Sequence, residues 1–147
     1  MQDSFEFRDV LPSDAAVVTR HRFDGVAGCD AERKAYESWV RRRIEAATYI
    51  GRVAQIDGVV VSGAGIVLLD WGPTRGNVCG VLGRVVAVCT EPALRRRGLA
   101  SSLLRQVMAQ AASHGVCDFR LAASAEGAGL YRALGFRPYG AEMILKA

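Results

Sequence analysis

The residues best suited to chemistry are Arg95, Arg96 and Arg97, followed by Gly98, Leu99, Ala100 and Ser101. They come just after an apolar run, Val85-Val86-Ala87-Val88-Cys89, and open an amphipathic stretch with helical spacing. A short buried strand that passes through a glycine-marked turn into a helix start aims several backbone N–H groups at one point. The positive end of the helix dipole is aimed at the same point. Three guanidinium groups in the turn add charge and forked donors. Gly98 lets the backbone approach a ligand closely, and Ala100 is too small to obstruct it. The chemistry this suits is binding of a phosphate, above all a diphosphate. It is not a P-loop, because no Gly-Lys-Ser/Thr follows the glycine. Taken alone, three arginines before a glycine also describe a solvated loop.

A second cluster lies further on: Leu130-Tyr131-Arg132-Ala133-Leu134-Gly135-Phe136, with Ser124 seven residues before Tyr131. The pattern Arg-x-x-Gly-x-Ala opening one helix and Leu-Tyr-x-x-x-Gly-Phe closing the next resembles the GNAT superfamily of N-acetyltransferases. The stretch VAVCTEPALRRRGLASSLL, residues 86–104, is similar to that family's sequence around its cofactor. The resemblance is strongest over residues 82–138 and compatible elsewhere, so residues 1–147 are expected to form a single domain. It implies an acetyl-CoA-dependent N-acetyltransferase that passes the acetyl group directly to a primary amine of a small molecule or peptide.

The same resemblance implies roles for particular residues. Arg95, Arg96, Arg97, Gly98, Leu99, Ala100 and Ser101 would hold the cofactor's pyrophosphate, with Arg95 foremost by family position. The strand at Val86 and Val88 would bond the pantetheine arm through its main chain and supply an oxyanion donor. Tyr131 would line the cofactor and act as the catalytic acid that protonates the departing thiolate. A tyrosine's ordinary pKa near 10 lies above the value of about 8.5 for a thiol, so it carries its proton at neutral pH. Ser124 either bonds the pantetheine arm, where many relatives carry asparagine, or caps the helix leading to Tyr131. No general base stands out among Asp70, Glu91 and Asp118. Acceptor recognition is expected from the first two helices, which carry Arg20, His21, Arg22, Arg41, Arg42 and Arg43, and from the loop over residues 70–81.

The elements that must position these residues follow from periodicity. Phe5 and Phe7 alternate with Glu6 and Arg8, giving a short first strand. Pro12-Ser13-Asp14 starts a helix that runs to Arg22 and is broken at Gly25 and Gly28. A second helix covers residues 30–47, with Tyr36, Val40 and Ile44 on one stripe. Residues 49–56 and 59–69 form a hairpin about Asp57-Gly58, and a strand follows at 82–89. The helix from Gly98 to Gly115 buries Leu99, Leu103 and Val107, flanked by Leu104, Met108 and Ala111. A strand at 117–122, a short helix at 127–134 and a last strand at 140–145 complete the order. The class is α+β. The resemblance implies a mostly antiparallel sheet of six to seven strands flanked by about four helices, with one parallel βαβ crossover at the cofactor site.

Composition sets bounds around this reading. Half of the residues are hydrophobic and 23% are charged, which is the balance of a globular chain. The cations are 17 Arg and 2 Lys, and a net charge of +4 suits a polyanionic ligand. It would also suit nucleic acid, but no basic stripe interleaved with aromatics appears, so no nucleic-acid partner is expected. An enzyme acetylating aminoacyl-tRNA on the same fold, and a non-catalytic CoA- or nucleic-acid-binding module, are the competing readings. The four cysteines show neither CxxC nor histidine spacing, so they read as reduced, mostly buried thiols of a cytoplasmic protein, with no metal. Cys89 in particular reads as a small core residue, since nothing in the sequence brings His21 or His114 beside it. The amino terminus is polar, without a secretory apolar region. The longest apolar run, residues 59–69, is too short to span a bilayer, so no membrane partner is expected. A homodimer is compatible with all of these features.

Overall fold

The computed structural model describes residues 4–147; Met1–Asp3, part of the polar amino terminus considered above, lie outside the described residues. Five strands form one sheet in the order β1 (Glu6–Asp9), β2 (Tyr49–Ile56), β3 (Val59–Asp70), β4 (Val81–Thr90) and β5 (Asp118–Arg120). Neighbours are antiparallel except the last pair, where β4 and β5 run parallel. A parallel pair needs a long return, and α3 (Leu99–Ser113) supplies it. The other helices are α1 (Ala15–Arg22), α2 (Asp30–Glu45) and the short α4 (Ala128–Ala133).

The sheet is covered on both faces. On one, α3 buries Leu99, Leu103, Leu104, Val107 and Ala111 against Ile50, Ala54, Ala64, Ile66 and Val85. Leu103, Leu104 and Val107 are each 0% exposed, so each full burial contributes about 1.5–3 kcal/mol. On the other face, Ala15 and Val18 of α1 and Val40 of α2 pack on Tyr49, Val67 and Ala87. Two glycines of β3 make room for rings. A Cβ at Gly65 would collide with the Tyr49 hydroxyl, and one at Gly63 would sit 2.8 Å from Nδ1 of His21.

Two expectations are corrected. The sheet has five strands among the described residues, not six to seven, because residues 140–145 do not pair as a strand. β5 offers only three rungs before the chain leaves the sheet, too few to template an outer neighbour. Met143, Ile144 and Leu145 accordingly lie 98%, 80% and 91% exposed. Nor are the cysteines mostly buried: Cys79 and Cys117 are exposed, and Cys29 and Cys89 are half-buried.

The start of α1 is pinned to β1. Arg8 donates two bonds to the Asp14 carboxylate, at 2.7 and 3.0 Å, and the Leu11 N–H donates a third at 2.7 Å. The Arg8 hydrogen bond holds the Asp14 carboxyl below its ordinary value of 3.8 against the opposing effect of burial. A carboxylate with a depressed folded-state pKa stabilises the fold above its unfolded value, and that contribution disappears as pH falls through the folded value. Asp14→Asn is therefore expected to lower stability by about 1–2 kcal/mol at neutral pH. In urea titrations at successive pH values the two proteins should converge below pH 3.8. A gap independent of pH would show that the ion pair is not its source.

Candidate functional site

The site begins where two strands part. β4 and β5 share three rungs, Leu82↔Asp118, Gly83↔Phe119 and Arg84↔Arg120. Beyond the last of these, β4 continues to Thr90 with its outer edge turned to a cleft instead of a strand. On its inner side β4 is bulged: Gly63 pairs with Cys89 and Gly65 with Val86, so Ala87 and Val88 together oppose Ala64. The bulge sits on Ala87, whose φ is +54°, a conformation that costs an L-residue about 1–2 kcal/mol. Packing against Ala15, Val18 and Tyr49 holds it there. A bulge re-aims the local main chain, and this one turns the edge from Val86 to Val88 at the mouth of the cleft.

The arginine turn closes the other end. After Thr90 the chain makes a tight turn over Pro92–Leu94 and passes through Arg96, with φ +63°, to Gly98, with φ +78°. A Cβ on Gly98 would meet nothing within 4 Å. The glycine thus answers the left-handed dihedral, and the space before it is open. No side chain caps α3, and the Ser102 N–H donates to the Gly98 carbonyl at 3.0 Å. The N–H groups of Leu99, Ala100 and Ser101 precede that first helical bond and have no acceptor within the helix.

These amides face a cleft of about 650 Å³ lined by Val88, Arg95, Arg96, Gly98, Leu99, Ala100, Ser101, Ser124 and Tyr131. A second cleft of about 300 Å³ shares Val88, Ser124 and Tyr131 with the first and brings in Val86. Arg97 is exposed and stands outside both linings. One donor of Arg95 is already engaged, since its Nε donates to the Thr90 carbonyl at 3.1 Å and braces the end of β4. Ser124 accepts a bond from the Gly127 N–H at 3.1 Å, which makes it a brace for the turn into α4.

Tyr131 is half-buried at the junction of the clefts, its ring edge-on to Phe136 with centroids 5.9 Å apart. Burial pushes its hydroxyl above the ordinary value of 10, so it holds its proton through neutral pH. Gly127 leaves it room, because a Cβ there would lie 3.1 Å from the ring.

Of the carboxylates considered for a base, Asp118 pairs with Arg120 at 3.2 Å and Glu91 with Arg20 at 3.3 Å. None of Asp70, Glu91 and Asp118 lines either cleft. Asp24 lines both without having carried a sequence signal, and His21, one of the residues named above for the acceptor side, lines the second. They arrive there because α1 and the loop after it fold back over β4. His21 is 6% exposed, its Nε2 has no partner, and burial first, then the charge of Arg20, hold its pKa below the ordinary 6.5. It also shares a cavity of about 130 Å³ with Cys89, an adjacency the sequence did not announce. Burial pushes that thiol up to about 11, so it stays protonated and is no nucleophile. Arg22 lines the second cleft, whereas Arg41, Arg42 and Arg43 line neither. Arg43 instead stacks on Trp39 at 5.4 Å. Among the described residues no three His, Cys, Asp or Glu side chains gather as for a metal, and no helix is long and apolar enough to cross a membrane.

Known proteins share this fold. No curated protein sequence matches the chain. Among solved structures, a GCN5-related N-acetyltransferase from Ralstonia eutropha superposes with a TM-score of 0.88 at 24% identity, covering 98% of this chain and 99% of its own. A "predicted acetyltransferase with acetyl-CoA" from Clostridium acetobutylicum gives 0.90 at 20% identity, covering 97% and 96%. The aminoglycoside acetyltransferase AAC(6')-Iy, in complex with a bisubstrate analogue, gives 0.75 at 17% identity, covering 98% of each chain. The acetyltransferase (GNAT) domain family matches residues 46–138, a span that runs from β2 through the bulge, the arginine turn and α3 to the end of α4. The chain belongs to the GNAT acetyltransferases.

Proposed function

We propose that the protein transfers the acetyl group of acetyl-CoA to a primary amine of a small molecule or peptide, working as one domain over residues 1–147 in the cytoplasm. One observation carries this reading: the free edge of β4, the uncapped amides of α3 and the Tyr131 hydroxyl converge on adjoining clefts. The C. acetobutylicum structure with acetyl-CoA and the AAC(6')-Iy complex with CoA-S-monomethyl-acetylneamine support the donor and an amine acceptor.

In this reading the amides of Leu99, Ala100 and Ser101 bind the diphosphate, with the side chains of Arg95 and Arg96 beside them. The main chain at Val86 and Val88 bonds the pantetheine arm and donates to the thioester oxygen as negative charge develops on it. One such donor is worth about 3 kcal/mol of barrier. The amine attacks the carbonyl carbon, the C–S bond breaks, and Tyr131 gives its proton to the leaving sulfur. Asp24, at the mouth shared by both clefts, draws the ammonium form of the acceptor inward and accepts the proton it must lose, directly or through water.

Release of free thiol from acetyl-CoA across a broad panel of amines tests the assignment; no amine-dependent release at any acceptor would refute it. Tyr131→Phe should lower turnover about 100-fold and leave the CoA dissociation constant within about twofold. Unchanged turnover would mean that another group protonates the sulfur. Arg95→Ala should weaken CoA about tenfold and leave pantetheine, which lacks the diphosphate, unaffected. Equal losses for both ligands would take that side chain away from the phosphates.

A further inference from the structure

Two thiols meet at one side chain, away from the open end of the cleft. Cys79 comes from the loop between β3 and β4, and Cys117 from the turn between α3 and β5. Cys79 Sγ lies 3.1 Å from Asn77 Oδ1, and Cys117 Sγ lies 3.7 Å from the same oxygen. Two atoms so close to a third stand no more than about 7 Å apart, and rotation about each Cα–Cβ bond changes that separation. Each sulfur also reaches the other's segment: Cys79 Sγ is 3.5 Å from the Gly115 carbonyl, and Cys117 Sγ is 4.0 Å from that of Gly76.

Asn77 is held rigidly beside them. It is 3% exposed, its Nδ2 donates to the Val81 carbonyl at 3.1 Å, and its Oδ1 accepts from the Gly80 N–H at 3.2 Å. Its main chain exchanges two bonds of 3.0 Å with Thr74. Both cysteines are exposed, so an oxidant in solution reaches them.

We propose that Cys79 and Cys117 form an oxidation site, in which a hydroperoxide converts the two thiols to one intramolecular disulfide that the native fold accepts. One thiolate attacks the peroxide oxygen, giving a sulfenic acid and releasing water or an alcohol. The second thiolate attacks that sulfur and expels hydroxide, which leaves as water. The two thiols together lose two electrons and two protons, and the hydroperoxide takes up both. The bond closes a covalent loop around β4, the arginine turn and α3. It lies at the end of the parallel pair where Leu82 meets Asp118, opposite the end where the strands diverge.

The full chain treated with hydrogen peroxide and weighed intact, with alkylation kept for the peptide digest, tests this. The main product should be lighter by two hydrogens, contain a linked Cys79–Cys117 peptide, and revert with dithiothreitol. Its melting temperature should rise by about 5 °C or more, since the link constrains a long loop of the unfolded chain. Cys79→Ser and Cys117→Ser should each abolish the loss of mass, and Cys29→Ser should retain it. Products that only gain oxygen, disulfides between two chains or through Cys29 or Cys89, or a crosslinked protein that melts no higher would overturn the proposal.

Discussion

β4 has a strand partner on its outer side for only three residues, and the cleft exists because that pairing stops. Past the Arg84↔Arg120 rung the backbone donors and acceptors on the outer edge of β4 have no ladder to join, while its inner edge stays paired with β3. Unpaired main-chain groups left dry would cost free energy, so such an edge is stable only against water or a ligand that completes it. The bulge at Ala87 and the arginine turn both depend on this divergence, since a full-length β5 would occupy the space before them. Two faces of packing keep the strand in place while one edge stays open. α3 presses on one side through Leu103, Leu104 and Val107, and α1 presses on the other through Ala15 and Val18.

The electrostatics of the turn follow from backbone geometry before side-chain charge. Left-handed dihedrals at Arg96 and Gly98 turn the chain sharply enough for α3 to start at the mouth of the cleft, with its first amides exposed to it. The arginines act on top of that frame and not equally. Arg95 spends a donor on Thr90, Arg96 lines the cleft, and Arg97 lies outside it. Tyr131 reaches the same place from the far side of the sheet's divergence, carried by a six-residue helix whose entry Ser124 braces.

What could be read from the sequence was what local chemistry dictates. The α3 stripe, the hairpin about Asp57-Gly58 and the glycine at the head of α3 are each set by neighbours a few residues away, and each stands where periodicity and turn chemistry put it. Long-range placement was not legible. Nothing in the order of residues tells that the loop after α1 lies beside β4, so Asp24 was missed as a cleft residue. The 140–145 segment ends in the short apolar run Met143-Ile144-Leu145 that a strand could use, but pairing requires a partner edge, and three-residue β5 does not provide one. Cys79 and Cys117 are separated by the whole β4–α3 unit, so neither their exposure nor their common approach to Asn77 could be inferred from spacing.

Amide hydrogen exchange with and without acetyl-CoA tests most directly whether this free edge and helix start are the ligand's seat. The account predicts that added acetyl-CoA slows exchange at Val86, Val88, Leu99, Ala100 and Ser101, while the amides of β1 and β2 keep their rates. Unchanged exchange at those five positions under saturating acetyl-CoA would contradict it.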